Sequence, residues 1–467
     1  MLFSSIVFLY YFLPCVLLVY FLVPRRLKNL VLLAASLVFY FYGEPVYTLL
    51  LVGSSLSAYV HGLLIDRFRG GRLGRVFLGS SVVTSVLLLG FFKYSDFFIS
   101  NVNALTGADW RLLGLALPIG ISFYTFQTLS YTIDVYRGEA KVQRSFLRLA
   151  TYVALFPQLI AGPIVRYTTV EAELTDRKHS LENFSAGMLR FILGLGKKVL
   201  LANQLGELCD GFRQSGDQSV LFYWLYAIAF SLHIYFDFSG YSDMAIGLGR
   251  VFGFRFLENF NYPYISKSVS EFWRRWHISL GSWFRDYVYI PLGGNRVSTL
   301  KWLRNILAVW LLTGLWHGAA WTFVLWGLWF ALFLVLEKLF LGRWLERAPG
   351  FVRHGYVLLT VMLSFVVFNA GDLRQAAGDL GGLFGAGGLP LLSAAAVYSL
   401  RDYGFVLLLG LTAATPLWSR LWTRLRERPR WQRCLNLAEP LAALALLLTV
   451  TAYLVDGSFN PFLYFRF

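Results

Sequence analysis

The sequence predicts an all-α polytopic membrane protein, and two observations on its composition and patterning lead to this fold class. Of its 467 residues, 57% are hydrophobic and only 15% are charged, whereas a soluble globular protein carries about 25% charged residues. Apolar runs of about 18 residues or more, the length of a bilayer-spanning helix, recur along the chain. The alternating segments that are typical of a membrane β-barrel dominate nowhere.

The apolar runs predict the membrane spans in chain order. They lie at roughly 4–23, 29–43, 46–65, 76–92, 113–135, 185–204, 219–240, 355–370, 401–418 and 436–455. Two further membrane segments, about 301–316 and 319–340, flank His317. The first run lacks a basic start and a small-residue cleavage site, so we interpret it as a retained span and not a signal peptide. No repeat or linker divides the chain, so one domain over 1–467 is expected.

Two membrane segments contain residues that break helices. Segment 149–165 contains Pro157, Gly162 and Pro163 and lies between basic residues, which favours a re-entrant segment. Broken backbone at membrane depth is tolerated only when it is buried or lines a cavity. A second break, Gly314 to Gly318, surrounds His317; one long kinked helix is the alternative there. With such segments included, we expect roughly 11–13 membrane helices around a central cavity.

The formal net charge of +16 predicts the orientation of the chain in the membrane. Lys and Arg accumulate in cytoplasmic loops, and the basic clusters here fall on one side, which we assign as cytoplasmic. The clusters are Arg25–Lys28, Arg67–Arg75, Arg137–Arg148, Arg343–Arg353 and Arg420–Arg433. The Gly-rich loop 371–395 and both termini are then extracytoplasmic.

No nucleic-acid partner is expected, since no soluble basic domain exists. Cys15, Cys209 and Cys434 have no metal or redox spacing and are expected to be buried.

His317 is the first candidate catalytic residue. An ionisable side chain at membrane depth is costly and indicates a functional site by default. His317 is preceded by Trp316, a candidate substrate-binding residue, and followed by Trp321 and Trp326. A neutral imidazole in such surroundings could act as a general base and take a proton from a hydroxyl that attacks a thioester carbonyl. A core histidine bonded to a backbone carbonyl is the alternative.

His277 lies in segment 261–296, which mixes aromatic residues with the arginines Arg274, Arg275 and Arg285. This composition is typical of an amphipathic helix on the cytoplasmic leaflet. The arginines could equally hold the phosphates of an acyl carrier, because guanidinium matches phosphate geometry. Composition alone favours neither interpretation.

Two carboxylates, Asp237 and Asp243, lie in the run YFDFSGYSD and follow directly on an apolar span. They could bind a cation or orient a histidine, but structural pairing with nearby arginines is favoured. Lys197 and Lys198 similarly favour snorkelling to the interface over a cavity charge. No metal site is expected, because the histidines are not part of a zinc motif. A secondary transporter is disfavoured, because paired inverted halves are not visible.

Several blocks resemble the membrane-bound O-acyltransferase (MBOAT) family. They are YFDFSGYSDMAIGLGRVFGF (235–254), NFNYPYISKSVSEFWRRWHISLGSWFRDYVYIPLGGNR (259–296) and LLTGLWHGAAWTFVLWG (311–327). The start MLFSSIVFLYYFLP, the segment FPQLIAGPIVRY (156–167) and the ending NPFLYFRF resemble the bacterial alginate O-acetyltransferase branch. The resemblance covers nearly the whole chain and identifies it as similar to this branch.

The resemblance implies a tunnel across the bacterial cytoplasmic (inner) membrane and a reaction within it. It implies that His317 is catalytic and that His277 supports it, and it favours Arg274 and Arg275 as lining residues. Acetyl-CoA is the implied acyl donor, with no bound cofactor, and an exported polysaccharide resembling alginate or cellulose is the implied acceptor. A separate SGNH-type partner is implied, since no soluble Ser/His/Asp domain is visible. D-alanyl or other acyl transfer to teichoic acid from a carrier protein is one alternative. A non-catalytic acyl or polymer transporter is another.

Overall fold

The computed structural model describes residues 1–457, and these residues contain helices and no strands. The NPFLYFRF ending lies outside the described residues. The α-helices are α1 Leu13–Leu22, α2 Lys28–Phe41, α3 Tyr47–Arg67, α4 Arg72–Thr106, α5 Ile121–Arg137, α6 Phe146–Ala154, α7 Phe156–Leu159, α8 Tyr167–Val170, α9 Leu181–Gly196, α10 Gln204–Gln214, α11 Val220–Val251, α12 Val269–Arg275, α13 Ile278–Phe284, α14 Thr299–His317, α15 Trp321–Leu336, α16 Gly342–Arg347, α17 Gly350–Phe368, α18 Leu373–Leu383, α19 Ala394–Ala413, α20 Leu417–Arg426 and α21 Pro429–Val455.

Shorter helical turns of other types connect some of these helices. Phe8–Phe12, Lys197–Asn203, Arg285–Tyr289 and Glu337–Leu341 are π-helical, and Arg25–Leu27 and Pro263–Ile265 form 3₁₀ turns. Within residues 1–457, seven helices are long and apolar enough to cross a membrane. These are α3, α4, α11, α17, α19, α21 and the continuous stretch Trp321–Arg347. The predicted class, an all-α polytopic membrane protein, is confirmed.

Two predicted spans have different bounds in the structure. The span predicted at 113–135 begins only at Ile121, because Gly120 adopts a left-handed conformation with φ of +76°. A Cβ at Gly120 would also collide with the carbonyl oxygen of Leu159. The span predicted at 219–240 continues without a break to Val251 as α11. Asp237 and Asp243 therefore lie inside one long helix, and the prediction that they follow a span is wrong.

The chain divides into two compact units, each described by itself. Unit 1 comprises Met1–Phe191 and Ser242–Leu257. Its core contains an aromatic cluster in which the rings of Phe3 and Phe8 lie 4.8 Å apart and those of Phe39 and Phe156 lie 5.6 Å apart. Such contacts are worth about 0.5–1.5 kcal/mol beyond the burial of apolar area.

The segment predicted to be broken lies in unit 1. Helix α6 ends at Ala154 and α7 begins at Phe156, and the residues from 149 to 165 are buried throughout. Leu155 leaves the helical conformation, and the amide of Phe156 then donates to Ser36 Oγ over 3.0 Å. This side-chain bond satisfies a backbone group that the break leaves without a helical partner. The prediction of broken, buried backbone here is confirmed.

Unit 2 comprises Ile192–Tyr241 and Glu258–Phe467, of which the residues up to 457 are described. Its most closely packed helices are α14 and α15, which form an antiparallel hairpin. A Cβ at Gly314 would collide with the Phe323 carbonyl oxygen, and one at Gly327 would collide with that of Trp310. Small residues let membrane helices approach this closely. The hairpin excludes the alternative of one long kinked helix.

The remaining predictions on unit 2 concern segment 371–395 and a cysteine. This segment, predicted as a loop, contains α18, and Asp372 caps this helix by accepting from the amide of Gln375. Cys209 is buried as predicted. The same prediction is wrong for Cys15 and Cys434, which are exposed on α1 and α21. Most of the side chains of both helices are exposed or only partly buried.

Candidate active site

His317 lies at the turn of the α14–α15 hairpin in unit 2. It is the last residue of α14, and α15 begins at Trp321 after a break of extended backbone. Gly318 is required in this turn because a Cβ there would collide with the Phe323 ring. The His317 ring therefore lies at a helix C-terminus, where the helix dipole favours positive charge.

The surroundings of His317 are aromatic. Its ring centroid lies 5.0 Å from that of Trp326, 5.0 Å from that of Trp316 and 5.3 Å from that of Phe368, all in edge-to-face arrangements. Only 8% of His317 is exposed to solvent. Packed aromatic rings on several sides restrict the imidazole and exclude most water from it.

His277 lies between the short helices α12 and α13, outside the seven candidate spans, and is almost fully buried. Its backbone is left-handed, with φ of +43°. Such a conformation costs a residue with a side chain about 1–3 kcal/mol and is concentrated at functional sites. Its ring contacts Phe238 at 4.6 Å and Trp316 at 5.9 Å. Burial lowers the pKa of His277 well below its usual value, and the neighbouring His317 lowers it further.

The two histidines are brought together by Trp316. Its ring contacts that of His277 and that of His317, 40 residues apart in the chain. Trp316 was predicted as a substrate-binding residue; in the structure its ring contacts both histidine rings and is 3% exposed. The two histidines thus share a neighbouring ring, and their assignment to one catalytic site stays a prediction.

Helix α12, which precedes His277, is held at its N-terminus by two carboxylates. Glu337 accepts hydrogen bonds from the amides of Val269 and Ser270. Glu271 accepts from the amide of Lys267, while Ser268 Oγ accepts from the amide of Glu271. Negative groups at a helix N-terminus satisfy free N–H groups and interact favourably with the helix dipole. The cap therefore fixes the helix that leads to the site.

A cavity of about 310 Å³ adjoins His277, a volume within the lower range of small-molecule sites. Trp273, Arg274, Arg285, Trp310 and His277 are among its lining residues. Most of the lining is apolar, and the indole Nε1 of Trp273 is buried without a hydrogen-bond partner among residues 1–457. The cavity thus combines an apolar wall, a few polar atoms and cationic side chains.

The three arginines predicted to bind an acyl donor do not share one position. Arg274 and Arg285 line the cavity and are exposed. Arg285 also pairs with Asp286 at 2.6 Å, whereas Arg274 makes no ion pair within the described part of the chain. Arg275 does not line this cavity; it pairs with Glu271 at 2.9 Å.

The carboxylates Asp237 and Asp243 each form an ion pair. Asp237 contacts Lys198 Nζ at 2.6 Å, and both side chains are almost fully buried. Asp243, in unit 1, contacts Arg190 at 2.8 Å with partial exposure. The favoured interpretation, structural pairing, agrees with both contacts, although a lysine and not an arginine serves Asp237. Snorkelling of Lys198 is wrong, because the carboxylate of Asp237 holds its ammonium group in the interior.

Three residues of the site were not predicted from the sequence. Asn259 contacts the His277 ring, Trp273 lines the cavity, and Glu337 caps α12. Asn259 and Glu337 act across 18 and 68 residues of chain, and a local pattern does not reveal such contacts. Trp273 carried a signal, since it stands four residues before His277 in a run rich in aromatic residues.

The fold and the site together define a polytopic membrane protein with two adjacent buried histidines and a cavity with cationic side chains. The model of the MBOAT, membrane-bound O-acyltransferase, family matches residues 138–370, a range that includes His277 and His317. The chain belongs to this family, in its alginate O-acetyltransferase branch, and is an O-acyltransferase.

Individual relatives support the assignment to this branch. The chain is 44% identical to a probable alginate O-acetylase of Azotobacter vinelandii, over 80% of this chain and 76% of that protein. It is 40% identical to a probable alginate O-acetylase of Pseudomonas putida, over 100% of both chains. It is 35% identical to a peptidoglycan O-acetyltransferase of Helicobacter pylori, over 84% of this chain and 81% of that protein.

Proposed function

We propose that this protein moves an acetyl group from cytoplasmic acetyl-CoA across the bacterial inner membrane toward a hydroxyl of an exported polysaccharide. A separate SGNH-type extracytoplasmic protein receives the acetyl group and passes it on. The proposal depends mainly on one observation: the rings of His317 and His277 both contact that of Trp316, and His277 lines a cavity. Two buried imidazoles at one place supply the proton transfers that acyl transfer needs.

His317 is the general base in this mechanism. It takes the proton of the hydroxyl of the acceptor, and the oxygen of this hydroxyl forms a bond to the carbonyl carbon of the thioester. The tetrahedral intermediate then expels the thiolate, and the imidazolium returns the proton to the sulfur. The C-terminus of α14 stabilises the transient positive charge on His317. Its aromatic surroundings limit hydrolysis of the thioester by water.

The donor side of the site is the cavity next to His277. Arg274 and Arg285 are placed to contact the phosphates of coenzyme A, and the apolar wall suits the uncharged arm that carries the thioester. The acceptor is proposed from the relatives. One group of them is named for acetylation of alginate and another for acetylation of peptidoglycan, and both of these acceptors are polysaccharides.

The test is covalent transfer of label in membranes that contain the full chain and its partner. We expect acetyl-labelled acetyl-CoA to label the partner or the polysaccharide, whereas adenine-labelled acetyl-CoA leaves both unlabelled. Transfer from a D-alanyl carrier protein, but not from acetyl-CoA, would instead establish the teichoic-acid alternative. Movement of acetyl groups or polymer without covalent transfer would establish a transporter.

Replacing the cavity arginines should weaken donor binding. We expect Arg274→Ala and Arg285→Ala each to raise KM for acetyl-CoA by about 3–10-fold, with a smaller effect on kcat. Loss of a contact common to ground and transition states has this signature, and the size corresponds to a partly solvated charged contact. Lysine should rescue only partly, because it lacks the planar guanidinium. Initial rates at varied acetyl-CoA concentration measure the effect.

Arg275→Ala is the matched control for this prediction. Arg275 lies next to Arg274 on α12 but pairs with Glu271 and does not line the cavity. Its substitution should leave KM for acetyl-CoA unchanged at normal protein level. Equal KM values for all three variants would contradict the donor site proposed here.

The proposed orientation makes a separate prediction. A reporter fused after Arg430 should be cytoplasmic, and one inserted at Gly387 should be extracytoplasmic. Gly387 lies in a turn with open space around it, so an insertion there should not disturb helix packing. Paired fusions to alkaline phosphatase and a fluorescent protein measure the two locations. The same location for both reporters would reject this orientation.

A further inference from the structure

The contacts of Asn259 determine which ring nitrogen of His277 carries the proton. Asn259 Oδ1 lies 3.2 Å from His277 Nδ1 and 3.3 Å from the backbone nitrogen of Ser279. Ser279 Oγ lies 2.8 Å from the same amide oxygen and 3.4 Å from His277 Nδ1. Because its one hydrogen is donated to Asn259 over the shorter distance, this hydroxyl can only accept from Nδ1. A backbone N–H can only donate, so the atom of Asn259 that faces it is the amide oxygen and not the NH₂ group.

An amide oxygen has no hydrogen, so its contact with Nδ1 is a hydrogen bond only when Nδ1 carries the proton. In a neutral imidazole the other nitrogen is then an acceptor. We infer that Asn259 is a positioning residue that holds His277 in the Nδ1–H tautomer, so that Nε2 accepts a hydrogen bond from a hydroxyl or amide N–H of the bound substrate. The inference rests on the proposed function and names a group that this function leaves unassigned.

The cavity supplies the second observation. His277 lines it, and Nε2 is buried with no hydrogen-bond partner anywhere in residues 1–457. Trp273 lines the same cavity, and its Nε1–H is likewise buried and without a partner in this range. An indole N–H can only donate. Two residues that line the cavity therefore each leave one ring nitrogen without a partner, one a donor and one an acceptor, a pair that an amide or a hydroxyl satisfies.

Packing restricts the orientation of the His277 ring. Phe238 contacts it edge-on at 4.6 Å and Trp316 does so at 5.9 Å. The backbone carbonyl of Asn259 separately accepts from the amide of Ile278 at 3.0 Å. This backbone bond does not depend on the side chain of Asn259. Substitution at Asn259 therefore removes the contact with Nδ1 while leaving the backbone connection in place.

The charges around His277 decide how its protonation responds to a substitution. His317 on α14 interacts electrostatically with it, and Arg274 and Arg285 line the same cavity. On α11, Asp237 precedes Phe238 and is balanced by Lys198. Burial and His317 already hold the pKa of His277 below its usual value. The neutral form is therefore the working form, and a new anion beside Nδ1 would favour the charged form.

Asn259→Leu and Asn259→Asp test the inference in membranes that contain the full chain. In Asn259→Leu, Nδ1 loses its acceptor, and we expect kcat for acetyl transfer to fall about 10–100-fold at normal protein level. Asn259→Asp retains an acceptor and should restore much of this loss. Its carboxylate stabilises the imidazolium, so neutral His277 appears only at higher pH. The acidic limb of the pH profile of kcat/KM should move to higher pH.

Ser279→Ala is the comparison, because it removes the Ser279 hydroxyl from Asn259 Oδ1 and from Nδ1 but keeps the contact between Asn259 and Nδ1. We expect a smaller loss of kcat than in Asn259→Leu and no shift of the pH profile, because Nδ1 retains its acceptor and no charge is added. Native kcat in Asn259→Leu, or an unshifted profile in Asn259→Asp, would overturn the inference. If Asn259→Leu fails to accumulate, the profile of Asn259→Asp still decides. Absence of transfer by the native chain would instead reject the proposed function.

Discussion

His317→Ala should lose acetyl transfer while the protein remains inserted and abundant. Removal of a positioned general base costs about 10²–10⁴-fold in rate, and this is the largest effect on activity that we expect from one substitution. The loss should appear in kcat, because the proton is transferred in the transition state and not in the bound ground state. Transfer of labelled acetyl, normalised to protein level in the membrane, measures it. Near-native transfer would reject the role of His317.

His233→Asn is the matched control for His317→Ala. His233 lies on α11 and is also buried in unit 2. Its Nδ1 lies 2.6 Å from the backbone carbonyl oxygen of Ala202, in the π-helical turn Lys197–Asn203. This contact is that of a core histidine, and an asparagine amide can replace the donated hydrogen bond. We expect His233→Asn to retain transfer. Loss of activity in both variants with equal loss of protein would indicate that His317→Ala acts through folding.

The helix breaks could be predicted from the sequence because glycine and proline act locally. Pro157, Gly162 and Pro163 indicated the break in 149–165, and Gly314 and Gly318 indicated the turn at His317. In each case the residue type itself limits the backbone. The choice between a hairpin and a kinked helix could not be made, since it depends on the contact of Gly314 and Gly327 with the facing helix.

Contacts between distant segments account for most of what the sequence left open. Asp237 was assigned to a pair, but Lys198, 39 residues earlier, could not be selected as its partner from spacing alone. Arg274 and Arg275 are adjacent in sequence, yet one lines the cavity and the other pairs with Glu271. Side chains one residue apart on a helix point about 100° apart. Without the helix phase their roles could not be separated.

The proximity of His277 and His317 also depends on contacts between distant segments of the chain. Both histidines were selected individually, from their residue type and from the resemblance to a family. What places them together is Trp316, whose ring contacts both. The left-handed backbone of His277 and its contact with Asn259 have no local sequence signature. Residue types indicated the chemistry, whereas the geometry that permits it depends on tertiary packing.

The largest loss of stability is expected from breaking the buried ion pair between Lys198 and Asp237. Lys198→Met leaves the carboxylate of Asp237 in an interior position without its ammonium partner at 2.6 Å. Removing one member of a buried pair costs about 3–5 kcal/mol, because the remaining charge is neither solvated nor balanced. We expect a clearly lower midpoint of thermal unfolding in detergent. The double variant Lys198→Met/Asp237→Leu removes both charges and should recover much of the loss.

Arg190→Met provides the comparison. Arg190 pairs with Asp243, which lies on α11 like Asp237, but this ion pair is partly exposed to solvent. The exposed fractions are 30% for Arg190 and 18% for Asp243, against 2% and 1% for Lys198 and Asp237. Water can solvate the carboxylate of Asp243 once its partner is removed. The loss of folding free energy should therefore be close to that of a surface ion pair, about 0–1 kcal/mol. Equal midpoints for Lys198→Met and Arg190→Met would show that burial does not set the strength of these pairs. A double variant no more stable than Lys198→Met would show that packing by Lys198, and not its charge, stabilises unit 2.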